Sequence, residues 1–212
     1  MYLPTHFRED RLEAQHALIR ARPLGTLIAH GPDGLEASLV PFMLDGDASP
    51  RGTLRAHVAR ANPHWRVLEA AAEALVVFQD ASAYISPAWY ATKRATGKVV
   101  PTWNYIVVQA WGRPRIIHDG AWLRALVGDL TARHEAGRAD PWAVTDAPAP
   151  FIEAQLKAIV GIEIEIARIE GKWKASQNRP EADRAGVAAG LEAKGDDAAR
   201  AMAAWVRERG SS

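Results

Sequence analysis

Residues Thr102 to His118 form the longest extended stretch of the sequence, and both of its faces are largely apolar. Trp103, Tyr105, Val107, Gln109 and Trp111 alternate with Asn104, Ile106, Val108, Ala110 and Gly112. A strand covered on both sides belongs inside a barrel, with helices packed around it.

The rest of the chain fits that frame. A helix over 9–21 is stopped by Pro23, and Leu24–His30 and Leu35–Leu44 read as a hairpin turning through Gly31-Pro-Asp-Gly34. Thr53–Val58 is a third strand. Asn62-Pro63 then opens a helix reaching Ala72, Asn as cap and Pro as first helical residue. Strands follow over Ala74–Gln79 and Ala83–Ser86, then a loop over 92–101. Asp119 caps an amphipathic helix ending near Glu135, a Pro-rich connection covers 138–150, and a short helix covers 151–158. Gly161–Ile169 is a strand with one wet face, and helices over 181–193 and 196–209 break at Lys194-Gly195. Six or more strands with helices inserted between them predict a mostly β fold, a barrel with peripheral helices and an α-helical C-terminal segment. The expected domains are 1–179, the barrel, and 180–212, a helical hairpin packed on the barrel or on a partner subunit.

Several function classes fall away. With 48% apolar and 24% charged residues the chain is not disordered, and no apolar run approaches the ~20 residues that cross a bilayer. The absence of cysteine excludes disulfides and thiolate metal sites, and His134-Glu135 lacks the second His of H-E-x-x-H, so no metal is expected. Neither G-x-G-x-x-G nor the P-loop pattern occurs. The first ten residues carry no secretory pattern, and the chain reads as soluble and cytoplasmic.

The net charge of +1 conceals a strong partition. Residues 48–68 (Arg51, Arg55, Arg60, Arg66), 81–118 (Lys93, Arg94, Lys98, Arg113, Arg115) and 171–180 (Lys172, Lys174, Arg179) hold twelve basic residues and no acid. The remainder holds 14 basic and 25 acidic residues. Strands are poor in Asp and Glu in any case, which accounts for the missing acids but not for the retained cations. Three such segments together predict a surface that receives an anion.

Each segment also carries a polar constellation. In Leu54–Trp65, Arg55 and His57 share a strand face, and Arg60 and Asn62 lie at the exit, where the next helix offers free N–H groups. Taken alone, His57 also reads as a satisfied core histidine and Arg60 as a loop cation. Lys98 with Thr102, Trp103, Asn104 and Tyr105 offers charge, hydroxyl, amide and flat π surface, as a phosphorylated aromatic ligand requires; taken alone, Trp103 and Tyr105 read as barrel core. Ser176, Gln177, Asn178 and Arg179 form a run of donors before a Pro-initiated helix.

Met1–Phe7, Arg55–Trp65, Tyr84–Tyr90, Lys98–Tyr105, Arg133-His134-Glu135 and Gly171–Arg179 together resemble the PaiB family of FMN-binding negative transcriptional regulators. The resemblance spans nearly the whole chain. It implies a split β-barrel of the flavin-reductase and pyridoxamine-phosphate-oxidase kind, a homodimer, and FMN at the subunit interface. It agrees with the residue chemistry: Arg and Lys suit the phosphate, Thr102, Ser176 and Asn62 suit phosphate or ribityl, and Asn104, Gln177 and Asn178 suit polyol or ring edge. Trp and Tyr could stack on the ring. Arg55, His57, Arg60, Asn62, Lys98, Thr102, Trp103, Asn104, Ser176, Gln177, Asn178 and Arg179 are therefore the expected cofactor-binding residues.

Three functions remain: a flavin-linked regulator, a flavin-dependent oxidoreductase acting on a small molecule, and a haem-binding split barrel. No acid–base pair stands out, so no catalytic residue is named. DNA contact is expected to be weak. Residues 180–212 hold five basic and six acidic groups, and the last helix opens on Asp196-Asp197, which repels phosphate. A small barrel is filled by its own side chains, so the flavin lies outside it. A second subunit then supplies the missing wall, with Thr102–Trp111 contributing to it.

Overall fold

A computed structural model describes residues 1–210. Among them the order is β1 (Arg8–Glu9), α1 (Leu12–Ala21), β2 (Leu24–Gly31), β3 (Gly34–Pro41), β4 (Met43–Asp45), β5 (Thr53–Ala59), α2 (His64–Ala70), β6 (Ala74–Ile85) and α3 (Ala91–Thr96). Then come β7 (Thr102–Gly112), β8 (Pro114–Ile117), α4 (Gly120–Glu135), α5 (Ala149–Lys157), β9 (Ile159–Glu165), β10 (Arg168–Lys174), α6 (Glu181–Lys194) and α7 (Asp197–Gly210). The chain divides into two compact units. The first holds Met1–Leu18, Gln79–Val108 and the chain from Glu170 onward; the second holds Ile19–Phe78 and Gln109–Ile169.

In the second unit β5 pairs with β9 through its whole length, from Thr53↔Glu165 to Ala59↔Ile159, with β4 and β8 on either side. Leu54, Ala56, Ile162 and Ile164 are fully buried there. Such burial contributes about 1.5–3 kcal/mol for each large aliphatic side chain. The cap formed by α4 and α5 buries Leu123, Ile152 and Leu156. The hairpin β2–β3 forms as its Gly-Pro-Asp-Gly turn requires, Gly34 taking φ +111°. Its outer face is unusual. Thr26, Ile28 and His30 stand opposite Leu39, Ala37 and Leu35, and Val77 and Leu75 of β6 continue the row. Leu24, Leu35 and Leu39 remain 57%, 77% and 69% exposed.

In the first unit β10 pairs with β1 (Arg8↔Lys172, Glu9↔Gly171), and β7 is its neighbour on the other side. The α6–α7 hairpin packs Val187, Leu191, Met202 and Val206 inside, and Trp173 meets Trp205 edge-on at 6.1 Å. Gly186 and Gly190 sit one helical turn apart against Trp89; a Cβ at Gly186 would lie 2.0 Å from the Trp89 carbonyl oxygen. Only glycine permits that approach.

Several elements differ from the sequence expectation. The strand expected over Leu35–Leu44 is two, β3 beside β2 and β4 beside β5, parted at Phe42, and the one expected over Gly161–Ile169 ends at Glu165. The strands expected over Ala74–Gln79 and Ala83–Ser86 are one strand: its buried positions run 74, 76 and 78, shift by one residue at Gln79-Asp80, and continue at 81, 83 and 85, and Asp80 Oδ2 accepts the Trp205 indole N–H at 2.9 Å. The expected strand 102–118 is two. At Gly112 a Cβ would meet the Glu165 carbonyl oxygen at 2.0 Å, and beyond Arg113 the chain joins the other sheet as β8, with Arg115 opposite Glu163. Part of the expected loop 92–101 is helix α3. Part of the expected polar run after Gly171 is strand β10, whose alternation is masked in the sequence by Lys172 and Lys174. Asp119 caps α4 as expected, its carboxylate accepting from Trp122 N at 2.7 Å.

Candidate functional site

The twelve expected cofactor residues fall into two groups. Lys98, Thr102, Trp103, Asn104 and Ser176–Arg179 lie in the first unit; Arg55, His57, Arg60 and Asn62 lie in the second.

In the first unit, β7 and β10 set side by side residues as far as 72 positions apart in the sequence. Lys174 Nζ donates to Thr102 Oγ1 at 2.6 Å and to the Trp103 carbonyl at 2.7 Å. Lys172 Nζ donates to the Tyr2 carbonyl at 2.9 Å and stands 5.1 Å from the Tyr105 ring centre. The Arg179 guanidinium lies 5.0 Å from the Tyr90 ring centre. Burial pushes the Lys174 ammonium below the ordinary lysine range, and the charges of Lys172 and Arg179 push it further. None of these three cations pairs with a carboxylate among the described residues. A clustered charge of this kind lacks a counter-ion, and a phosphate dianion has the required chemistry.

The aromatic component is beside it. Trp103 and Tyr84 meet edge-on at 6.1 Å and are 56% and 46% exposed, so their flat surfaces face solvent. Asn104 and Ser176 are buried against each other, Nδ2 donating to Oγ at 2.8 Å, while Asn104 Oδ1 has no partner. Ser176 is the one non-glycine with positive φ (63°) among the described residues, so the turn leaving β10 is held in a costly conformation. Gln177 braces it by accepting from Ala175 N at 2.8 Å and donating to the Trp173 carbonyl. Asn178 and Lys98 are exposed.

The second-unit group has different occupations. Arg55 is paired with Asp45 at 3.2 Å and Glu163 at 3.4 Å. Arg60 donates to the carbonyls of Lys157 and Ile159, both at 2.9 Å, and faces His118 Nδ1 at 3.3 Å. Asn62 accepts from His64 N at 3.0 Å just ahead of α2, but the expected cap is displaced by one residue: Pro63 holds the cap position, and no side chain caps the helix. His64 is fully buried, Nδ1 on Ser38 Oγ at 2.9 Å. His57 is pushed below the ordinary imidazole range by burial, and its Nδ1 has no partner. The sequence reading left out Lys172, Lys174 and Tyr84 as site residues, although all three stood in segments that it had singled out.

Comparison with known proteins agrees with this chemistry. Residues 1–168 match the family described as "Putative FMN-binding domain". The uncharacterized protein AN0679 of Emericella nidulans is 37% identical over 245 aligned positions, covering 99% of this chain and 98% of that protein. The protease synthase and sporulation protein PAI 2 of Bacillus subtilis is 28% identical over 209 positions, covering 99% and 98%. Among solved structures, the FAD and heme binding protein from Mycobacterium smegmatis superposes with a TM-score of 0.59 at 19% identity, covering 79% of this chain and 73% of that one; it bears on the fold alone. No helix among the described residues is long and apolar enough to cross a membrane. The chain belongs to this FMN-binding domain family, with FMN as its cofactor, and is a PaiB-like protein of split β-barrel fold.

Proposed function

We propose that this protein is a homodimeric, flavin-linked regulator in which FMN is the sensing group. The observation that carries the cofactor's placement is the cluster of Lys172, Lys174 and Arg179, three cations without a carboxylate partner among the described residues. In this reading the cluster and Thr102 hold the FMN phosphate, and exposed Trp103 and Tyr84 take the isoalloxazine ring. When bound, FMN supplies one- and two-electron redox chemistry. The chain's residues bind and orient it, and a nearby ammonium favours the anionic reduced form.

The homodimer reading rests on the apolar outer face of β2–β3. Leu24, Leu35 and Leu39 form a row that a monomer would leave in water, and a second copy of the same face would cover it. Thr102–Trp111, the other candidate for this wall, is mostly buried from Ile106 onward within its own chain. In this reading residues 1–179 are the flavin domain and the α6–α7 hairpin packs against it rather than reading DNA, since acids open α7.

Absorption of the purified protein is the first test. Flavin bands support the reading, and a Soret band in their place would replace it with haem binding. Oxidation of NADH or NADPH by the FMN-loaded protein at enzymatic rates would favour the oxidoreductase. Operator binding that responds to flavin reduction would favour the regulator. Where FMN lies across the subunit contact, as the family resemblance implies, it should tighten the dimer, and dilution should release FMN.

A further inference from the structure

We propose that Asn104 is a positioning residue of the flavin site: without touching the cofactor, its side-chain amide fixes the turn that leaves β10 and so sets where Arg179 stands. The proposal rests on the reading that Lys172, Lys174 and Arg179 hold the phosphate, and it names what keeps the third of these cations in place.

Asn104 lies on β7 two residues beyond Thr102 and is 1% exposed, so a ligand in solvent does not reach it. Ile106 and Val108, the next residues on the same side of the strand, are buried hydrocarbons. An amide in that row costs free energy that a hydrocarbon would not. Its side chain makes one hydrogen bond, from Nδ2 to Ser176 Oγ at 2.8 Å, and Oδ1 makes none. A residue kept for packing alone would be apolar. The bond to Ser176 is what the amide supplies.

Ser176 begins the tight turn that ends at Arg179, its carbonyl accepting from Arg179 N at 2.9 Å. It holds φ at +63°, a region that residues with a Cβ enter at a cost, and the bond from Asn104 ties it there. At the far side of Arg179, its carbonyl accepts from Arg184 Nη1 of α6 at 2.8 Å. The arginine backbone is therefore held at both ends, and the end nearer β10 depends on Asn104. A guanidinium bonds a phosphate well only when its N–H groups are aimed at the oxygens. A loosened turn should weaken the grip on the phosphate and leave the ring end of the flavin unaffected.

The test compares FMN with riboflavin, which lacks the phosphate, by fluorescence titration of the full-length protein. Asn104→Leu keeps the bulk and removes the amide. FMN should then bind about threefold to thirtyfold more weakly, up to much of what one charge-assisted hydrogen bond contributes, and riboflavin within about twofold of the unaltered protein. Retained riboflavin binding also reports that the variant is folded. Ser176→Gly removes the hydroxyl and the strain together; it should shift the ratio of the two affinities in the same direction, and it decides the matter where the leucine variant does not fold. Added to Arg179→Gln, either change should leave the ratio where Arg179→Gln alone puts it, because Asn104 acts through that guanidinium. The proposal is overturned if the deciding variant leaves the ratio unchanged, if it weakens both flavins equally, or if its effect adds in full to that of Arg179→Gln. Failure of the phosphate placement itself has a different signature: Lys174→Met would then weaken FMN and riboflavin alike.

Discussion

Lys174 Nζ lies 2.6 Å from Thr102 Oγ1, across two strands that are 72 residues apart in sequence. The contact leaves a half-buried ammonium beside two other cations, in a place where an anion would relieve all three. Replacing Lys174 by Met keeps the stem and removes the charge. FMN affinity should fall tenfold or more, since a charge-assisted hydrogen bond contributes about 1.5–3 kcal/mol. Riboflavin, which lacks the phosphate, should be held almost as before. Competitive titration of the two flavins measures this, and equal losses would remove Lys174 from the phosphate.

The same lysine fixes a pH dependence. Its ammonium is destabilised relative to an ordinary lysine, so it loses its proton earlier as the solution is made alkaline. Loss of the proton removes a phosphate partner. FMN affinity should therefore be full at neutral pH and decline before the ordinary lysine range is reached, while Lys174→Met should lack that decline. Titration in a series of alkaline buffers checks it; parallel curves for the two proteins would sink the assignment.

Leu39 stands opposite Thr26 in the centre of the uncovered β2–β3 face. Leu39→Glu puts a charge in the middle of the proposed contact at a position already open to water, so folding should be little affected. Sedimentation should show the dimer replaced by monomer at concentrations where the unaltered protein is dimeric. A variant that remains dimeric would move the interface elsewhere.

The parts of the fold that announced themselves in the sequence were governed by local chemistry. Gly31-Pro-Asp-Gly34 made its hairpin, Asp119 capped its helix, and Lys194-Gly195 broke the C-terminal helices, Gly195 taking φ +78°. What was not legible depended on remote partners. Nothing near Gly112 reveals that the Glu165 carbonyl comes close enough to bar a Cβ. Asp80 looked like a turn until the Trp205 indole, 125 residues away, gave its carboxylate a partner inside a strand. The site divides in the same way. The acid-free segments pointed to an anion, but Lys172 and Lys174 were read as loop because pairing with β1 and proximity to β7 are what make β10 a strand.

Asp183 is 1% exposed, and its carboxylate accepts from both Thr92 N and Thr92 Oγ1 at 2.8 Å, tying α6 to the start of α3. Asp183→Ala leaves those two donors without a partner inside the protein. A loss of about 2–3 kcal/mol is expected, the sum of a lost cap and unsatisfied buried groups. Urea unfolding measures it. A change below about 0.5 kcal/mol, the scale of ordinary surface substitutions, would mean that water replaces the contact.

Glu9 sets the acid limit of stability. Its side chain is 3% exposed, and burial alone would raise its pKa, but hydrogen bonds from Arg11 and Arg209 outweigh burial and lower it from 4.5 to about 2. Arg11 binds both carboxylate oxygens at 2.9 and 2.7 Å, and Arg209 reaches the same group from α7, joining the two ends of the described chain. The native state thus releases this proton more readily than the unfolded chain, and the unfolded chain binds more protons at pH values between the two pKa values. Stability from this source is complete above about pH 4.5 and disappears as pH falls towards about 2. At about 1.4 kcal/mol per pKa unit, its size is on the order of 3 kcal/mol. Glu9→Gln keeps the shape and removes the ionisation, so it should cost a comparable amount at neutral pH and progressively less in acid. Denaturant midpoints for the two proteins should converge as the pH is lowered through this window. A gap that stays constant to the acid limit would show that the Gln variant loses packing rather than charge, and that the bonds to Arg11 and Arg209 do not hold Glu9 ionised.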